Sequence, residues 1–216
     1  AALAAALESM GIAPGDRVVA FLPNRPEAIV AFLACAAIGA VWSICSPDMG
    51  PLAVLDRFRQ IAPKVLIACD GYVYGGAVHD RTAVLATLCA ELPTLTDVVV
   101  WRHPQLGGAQ PELAAPSLRC HDFDALTAGP ATFAPRWLPF DHPLWIVYSS
   151  GTTGLPKAIV HGHGGIMLEQ LKGGALHNDI AASALRGDRY HWYSSTGWIM
   201  WNSQPGALLG GTTVCM

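Results

Sequence analysis

Tyr148-Ser149-Ser150-Gly151-Thr152-Thr153-Gly154-Leu155-Pro156-Lys157 is the stretch from which the rest of this sequence is read. The apolar run Leu144-Trp145-Ile146-Val147 enters it and Ala158-Ile159-Val160 leaves it, so two strands flank a loop and a hairpin results. Gly151 and Gly154 let backbone N–H groups come close to an oxyanion. The hydroxyls of Ser149, Ser150, Thr152 and Thr153 add donors, and Lys157 ends the run with a cation. That composition suits wrapping a polyphosphate. A Walker loop is excluded, because there a Gly-Lys-Ser/Thr triplet opens a helix, whereas Lys157 follows Pro156 and leads into a strand. The competing reading is an ordinary Ser/Thr/Gly turn whose hydroxyls bond locally; the order of the residues weighs against it.

Working outward toward the N-terminus, helical and strand patterns alternate. Residues 3–10 read as helix and 17–22 as strand. Asn24 is placed to cap the next helix, with Pro26 in its first turn and Glu27 three positions on, as in a capping box. The body of that helix, 28–38, is apolar on every face, so it is sandwiched between layers. Strands 41–45 and 65–69 are continuous apolar runs of the buried parallel kind, with a helix at 52–61 between them. Gly71, Gly75 and Gly76 mark a loop, then 82–92 reads as helix and 97–101 as strand. From 103 to 141 the pattern dissolves among Pro104, Pro111, Pro116, Pro130, Pro135 and Pro139. That stretch reads as a connector. Order returns with strands at 144–148 and 158–161, a helix at about 165–176, a strand at 189–193, a helix near 198–209 and a strand begun at Thr212. The fold class is therefore α/β, with layered mixed and parallel sheets and flanking helices. The expected organisation is a first half over 1–102, the connector over 103–141 and a second half over 142–216.

Bulk properties narrow the function classes. Of the 216 residues, 52% are hydrophobic and 13% charged, against about 25% charged in a typical soluble protein. The opening Ala1 and the closing strand suggest a piece of a longer chain. The net charge of −3, with Lys and Arg scattered, argues against a nucleic-acid partner. Residues 28–45 carry no charge, but Ala dominates and Gly39 interrupts, which fits a buried helix running into a buried strand better than a membrane span. Cys35, Cys45, Cys69, Cys89, Cys120 and Cys215 include no C-x-x-C pair, and most sit in apolar stretches, which points to a reduced, cytoplasmic setting.

The loop at 148–157 resembles the signature loop of the adenylate-forming superfamily, which holds acyl-CoA synthetases, luciferases and adenylation domains. The resemblance implies part of that family's large N-terminal domain, with the loop closing over the β- and γ-phosphates of ATP. It also implies two steps: a carboxylate displaces pyrophosphate to give acyl-AMP, then CoA thiol displaces AMP. Ser149, Ser150, Gly151, Thr152, Thr153, Gly154 and Lys157 would bind phosphate, with Lys157, Thr152 and Thr153 stabilising charge on the leaving pyrophosphate and Mg²⁺ sharing that load. Three further stretches are similar to the acetoacetate-activating branch of the acid–CoA ligases: Ser46-Pro47-Asp48-Met49-Gly50, His161-Gly162-His163-Gly164-Gly165 and Ser195-Thr196-Gly197-Trp198-Ile199-Met200-Trp201-Asn202. Acetate- and propionate-activating relatives are the alternative within the family, and a non-catalytic nucleotide- or CoA-binding module is the alternative outside it. The resemblance places Trp198, Met200, Trp201 and Asn202 at the acyl and CoA pocket, with Asn202 able to donate to a keto oxygen; for Trp201, plain core packing competes. In the acetate branch a glycine loop carries arginines that touch the CoA nucleotide. The matching Tyr74-Gly75-Gly76-Ala77 has none, although Arg81 is close.

Other constellations read as structural. His161 and His163 flank a glycine but lack a third ligand at metal spacing, so no metal site is assigned. Asp122 and Asp124 read as a solvated pair in the connector. The family's adenine- and ribose-binding motifs and its C-terminal domain with a catalytic lysine are not found in this sequence, so residues 1–216 alone are expected not to turn over.

Overall fold

Continuous β-branched and apolar runs make the strands, and their alternation decides where each side chain goes. The computed structural model describes residues 1–106, 117–149, 154–180 and 187–216. Helix α1 (Ala2–Ser9) leads to β1 (Arg17–Phe21), α2 (Pro26–Ile38), β2 (Val41–Cys45), α3 (Pro51–Phe58) and β3 (Val65–Cys69). A hairpin of β4 (Gly71–Tyr74) and β5 (Ala77–Asp80) follows, then α4 (Thr82–Glu91), β6 (Asp97–Trp101), β7 (Arg119–Asp122) and α5 (Phe123–Thr127). The remainder holds β8 (Pro143–Ser149), β9 (Lys157–Gly162), α6 (His163–Lys172), β10 (Arg189–Tyr190), α7 (Ser203–Ala207) and β11 (Thr213–Val214).

Seven strands form one sheet in the order β7-β6-β3-β1-β2-β8-β9. Every pairing in it is parallel except β8 with β9. Because successive side chains point to opposite faces, Val18 and Ala20 of β1 enter one core while Val19 and Phe21 enter the other. The first core lies under α1, α2 and α5 and holds Leu7, Phe32, Trp42, Trp145 and Trp201; the second lies under α3 and α4 and holds Phe58, Leu85 and Leu88. Two buried faces explain why the central strands β1, β2, β3 and β6 read as largely apolar runs. Helix α2, expected to be sandwiched, is covered on one side only: Ala28, Ala31, Phe32 and Cys35 are buried, whereas Val30 and Leu33 are 42% and 45% exposed. No helix among the described residues is long and apolar enough to cross a membrane.

Several local expectations are corrected. Asn24 does not cap α2. Arg25 occupies that position with extended backbone and no side-chain cap, and pairs with Glu27 at 3.1 Å. The glycines after β3 shape a hairpin instead of an open loop: Gly75 and Gly76 have φ of 58° and 79°, the left-handed pair that a tight two-residue turn requires. The stretch 103–141 contributes β7 and α5 as well as irregular chain. Asp122 is not merely solvated; it caps α5 by accepting from the Ala125 N–H at 2.9 Å and pairs with Arg102 at 3.1 Å. The expected strand at 189–193 is confined to β10, and the expected helix near 198–209 is split into a 3-10 turn, α7 and a second 3-10 turn. Residues 136–142 strap the end of α2, where the Arg136 N–H donates to Ala37 O and His142 Nε2 meets Gly39 O at 2.8 Å. At Gly39, φ is 79° and a Cβ would lie 2.9 Å from Leu138, so only glycine fits beneath the strap.

The sheet's outer strand is held by a buried carboxylate. Asp97 is fully buried and accepts from Arg119 Nη2 at 2.8 Å, Thr96 Oγ1 at 2.8 Å and His121 Nε2 at 2.7 Å. Burial pushes its pKa up, but the donors, Arg119 first, outweigh burial and hold it below the ordinary carboxylate value. Asp97→Ala is expected to destabilise the protein by about 2–3 kcal/mol at pH 7 in urea denaturation. Because the folded pKa is lowered, that contribution is complete above the unfolded value of about 4 and fades as pH falls through the folded one. The gap between wild type and variant should therefore narrow below about pH 4; a gap that widens there would contradict the ion pairing.

Candidate active site

Strands β8 and β9 bring Ser149 directly opposite Lys157 at the mouth of the hairpin, where both are exposed. Ser150, Gly151, Thr152 and Thr153, the centre of the expected phosphate loop, lie outside the described residues. Gly154 has φ of 133°, a conformation side-chain-bearing residues rarely adopt, and the space beside it is open. Below the mouth the hairpin is tethered. Gln60 Nε2 donates to Pro156 O at 2.8 Å, and the Tyr148 hydroxyl donates to Arg57 O at 2.8 Å with the Arg57 guanidinium 5.7 Å from the ring centre. Burial pushes the Tyr148 phenol up, and the neighbouring Cys45 adds to this. Ser43 Oγ donates to Ile146 O at 2.8 Å, binding β8 to the parallel core.

The two histidines after β9 have separate partners. His161 Nδ1 accepts from Trp145 Nε1 at 2.9 Å, which places its own proton on Nε2. His163 packs against His142 with ring centres 5.7 Å apart, and burial, then His142, lowers its pKa.

The tryptophan segment arrives at the foot of the same hairpin. Thr196 Oγ1 donates to Leu22 O at 2.7 Å, fixing the chain before a 3-10 turn over Ile199–Asn202. Trp198 is 64% exposed and Met200 39% exposed, whereas Trp201 is fully buried and Asn202 is 6% exposed. Trp201 thus sits in the core and donates from Nε1 to Asn24 Oδ1 at 2.8 Å. A slot of about 20 Å³ separates Trp198, Ile199 and Asn202 from Val147 and Tyr148 of β8. Asn202 also borders an apolar cavity of about 160 Å³ between α2, α6 and α7, lined by Phe32, His163 and Leu209. The structure therefore gathers Trp198 and Asn202 beside the hairpin, leaves Met200 facing outward and sets Trp201 inside.

A larger pocket of about 570 Å³ opens past the C-terminal ends of β1, β2, β3 and β6, the usual ligand position in parallel sheets. Its walls include Asn24, Arg25, Tyr72, Trp101 and Tyr193. Arg25 lies 4.3 Å over the Trp101 ring. Arg81 does not point freely toward a ligand: Nε donates to Pro47 O at 2.7 Å and Nη2 to the Tyr72 hydroxyl at 3.2 Å, locking the loop after β2 to the β4–β5 hairpin. Gln60 and Arg57 carry no signal in the sequence, and Asn24 reads there only as a helix cap, because each works through a partner far along the chain and local pattern does not record that.

Comparison with known proteins decides the family. The AMP-binding enzyme model matches residues 1–216. The chain belongs to the AMP-binding enzyme family. Among curated proteins, this family member is 43% identical to an acetoacetyl-coenzyme A synthetase of Rhizobium meliloti over 98% of its length, and 42% identical to an acetoacetyl-CoA synthetase of Gallus gallus over 99%. Among solved structures it superposes on an acetoacetyl-CoA synthetase from Streptomyces lividans with a TM-score of 0.90 and 51% identity, over 99% of this chain. The chain covers 31%, 32% and 31% of those proteins respectively, about a third of their length.

Removing the Tyr148 hydroxyl tests the tether. Tyr148→Phe keeps the ring and loses the bond to Arg57 O, so thermal unfolding should register a loss of about 1 kcal/mol. An unchanged melting temperature would show that the hydroxyl does not hold the hairpin.

Proposed function

We propose that the complete protein carrying this chain is an AMP-forming acid–CoA ligase that activates acetoacetate, giving acetoacetyl-CoA, AMP and pyrophosphate. One observation carries the proposal: Ser149 and Lys157 face each other at the open mouth of a hairpin whose foot adjoins the slot walled by Trp198 and Asn202. A polyphosphate at the mouth would thus lie next to the tryptophan segment. The slot itself, about 20 Å³, holds no more than a water molecule, so seating an acyl group there requires the exposed Trp198 and Ile199 side chains to move aside.

In the first step a carboxylate oxygen attacks the α-phosphorus of ATP, an O–P bond forms, and the bond to the β-phosphate oxygen breaks to release pyrophosphate. Lys157, with the hydroxyls of Ser149, Ser150, Thr152 and Thr153, stabilises charge on the departing phosphates. Mg²⁺ bound to phosphate oxygens would screen the same charge, and the hydroxyl oxygens of the loop are the donor type that ion accepts. In the second step the CoA thiol attacks the acyl carbonyl and loses its proton, and AMP leaves. On this reading Trp198 walls water from the reactive mixed anhydride and the Asn202 amide donates to the 3-oxo oxygen, roles supported by their shared border with the slot. Acetoacetate is favoured over acetate or propionate by the names of the relatives at 42–43% identity. Packing of Cys35, Cys45, Cys69 and Cys89 as buried free thiols supports a reducing, cytoplasmic compartment. The polypeptide 1–216 alone, about a third of the relatives' length, is proposed not to form the acyl-adenylate.

The test is pyrophosphate release by the complete protein with acetoacetate, acetate, propionate and butyrate in parallel, where acetoacetate should give the highest kcat/KM. Equal rates with acetate would move the protein to the other branch, and no release with any acid would remove the ligase reading. Lys157→Ala is expected to lower the adenylation rate by about 10²-fold or more while leaving the melting temperature unchanged. Wild-type kinetics in that variant would take Lys157 out of the mechanism.

A further inference from the structure

We infer that Asn24 is a positioning residue for the acyl site, fixing the Trp198 wall from the loop after β1 through Trp201 and Gln204. The inference rests on the ligase reading given above. Asn24 Oδ1 accepts two hydrogen bonds, from Trp201 Nε1 at 2.8 Å and from Gln204 Nε2 at 3.1 Å, across 177 and 180 residues of sequence. Both donors belong to fully buried residues. A buried N–H left without an acceptor is expensive, so one oxygen holds two groups that have nowhere else to go. Thr196 Oγ1 donating to Leu22 O adds a second clasp at the other end of the segment.

Between those clasps stand the groups that face the slot. Trp198 begins the 3-10 turn, Trp201 closes it through its N–H to Trp198 O at 3.0 Å, and Asn202 is the next residue. Trp201 is rigidly placed in the core, so Asn24 sets the height and rotation of a short, stiff segment whose exposed edge is Trp198. The loop that carries Asn24 is kept in place by neighbours of its own: Pro23 precedes it, and Arg25 is pinned by Glu27 and by the Trp101 ring. Asn24 and Arg25 also line the 570 Å³ pocket at the strand ends, so the same loop borders that pocket and holds the acyl wall. No step of the chemistry needs Asn24 to touch substrate; it acts through Trp201 and Gln204.

The experiment compares Asn24→Ala, Asn24→Asp and Trp201→Phe in the complete protein, by pyrophosphate release with acetoacetate and butyrate at varied acid and varied ATP. Asn24→Ala should raise KM for acetoacetate by about tenfold, the effect of losing roughly one good hydrogen bond, with KM for ATP within about twofold of wild type. Its preference for acetoacetate over butyrate should shrink by a similar factor. Asn24→Asp keeps the acceptor oxygen and should restore both quantities. Trp201→Phe removes one donor while keeping most of the ring's bulk, and should fall between; it gives the same readout if Asn24→Ala fails to fold. A variant lacking the acceptor that melts earlier but keeps wild-type acid KM and preference would overturn the inference, as would Asn24→Asp behaving like Asn24→Ala. Wild-type protein that releases no pyrophosphate with any acid would overturn the ligase reading and this inference together, whereas wild-type turnover with unaltered Asn24→Ala kinetics would overturn this inference alone.

Discussion

The seam between β2 and β8 is the constraint on which the rest of the arrangement depends. These two strands are matched through a single register pair, Trp42 beside Trp145, reinforced by Ser43 Oγ donating to Ile146 O. Phe32 of α2 contacts both indoles, with ring centres 6.2 and 5.7 Å away at tilted or edge-on angles. Aromatic contacts of this type contribute about 0.5–1.5 kcal/mol each beyond the area they bury. Few backbone bonds cross the seam, so side-chain packing carries it. If it opened, the β8–β9 hairpin would separate from the parallel core, and Ser149 and Lys157 at its mouth would lose their position relative to the tryptophan segment.

That dependence explains how much was legible in the sequence. The parallel strands β2, β3 and β6 coincide with the expected ranges because they are predominantly apolar, with only Ser43 and Asp97 polar among them, and are buried on both faces, which is what such runs record. Strand β7 was hidden, since Arg119-Cys120-His121-Asp122 has neither alternation nor β-branched residues. What makes it a strand is tertiary: Arg119 and His121 both reach the buried Asp97 on β6. The glycines at 75 and 76 signalled a break in the chain, and only the pairing of Tyr72 with His79 across them decides that the break is a hairpin.

The candidate site divides along the same line. The loop at 148–157 stands out in composition because it gathers in one short window the glycine, hydroxyl and cation that phosphate recognition would ask for, while its centre, 150–153, lies outside the described residues. Asn24 was misplaced for an equally physical reason. A cap would satisfy one N–H near the helix start, whereas the observed arrangement satisfies two buried donors from the far end of the chain, and the second is worth more because neither donor can reach water. Long-range satisfaction of this kind leaves no periodic trace.

Lys157 illustrates why the surroundings of a residue decide what it can do. A unit charge about 4 Å from a phosphate oxygen is worth about 1 kcal/mol in bulk water and about 4 kcal/mol where the effective dielectric constant is near 20. At the open mouth of the hairpin, Lys157 is exposed and belongs to the first regime. On the proposed reading its contribution grows only when water is displaced from the phosphates, which needs cover over the hairpin from loop and wall together. On the same reading Trp198 would supply one side of that cover, and its usefulness would depend on being held at a fixed height. The latch from Asn24 and the charge on Lys157 are therefore parts of one requirement: an ammonium group accelerates phosphoryl chemistry to the extent that neighbouring side chains keep the site dry and still.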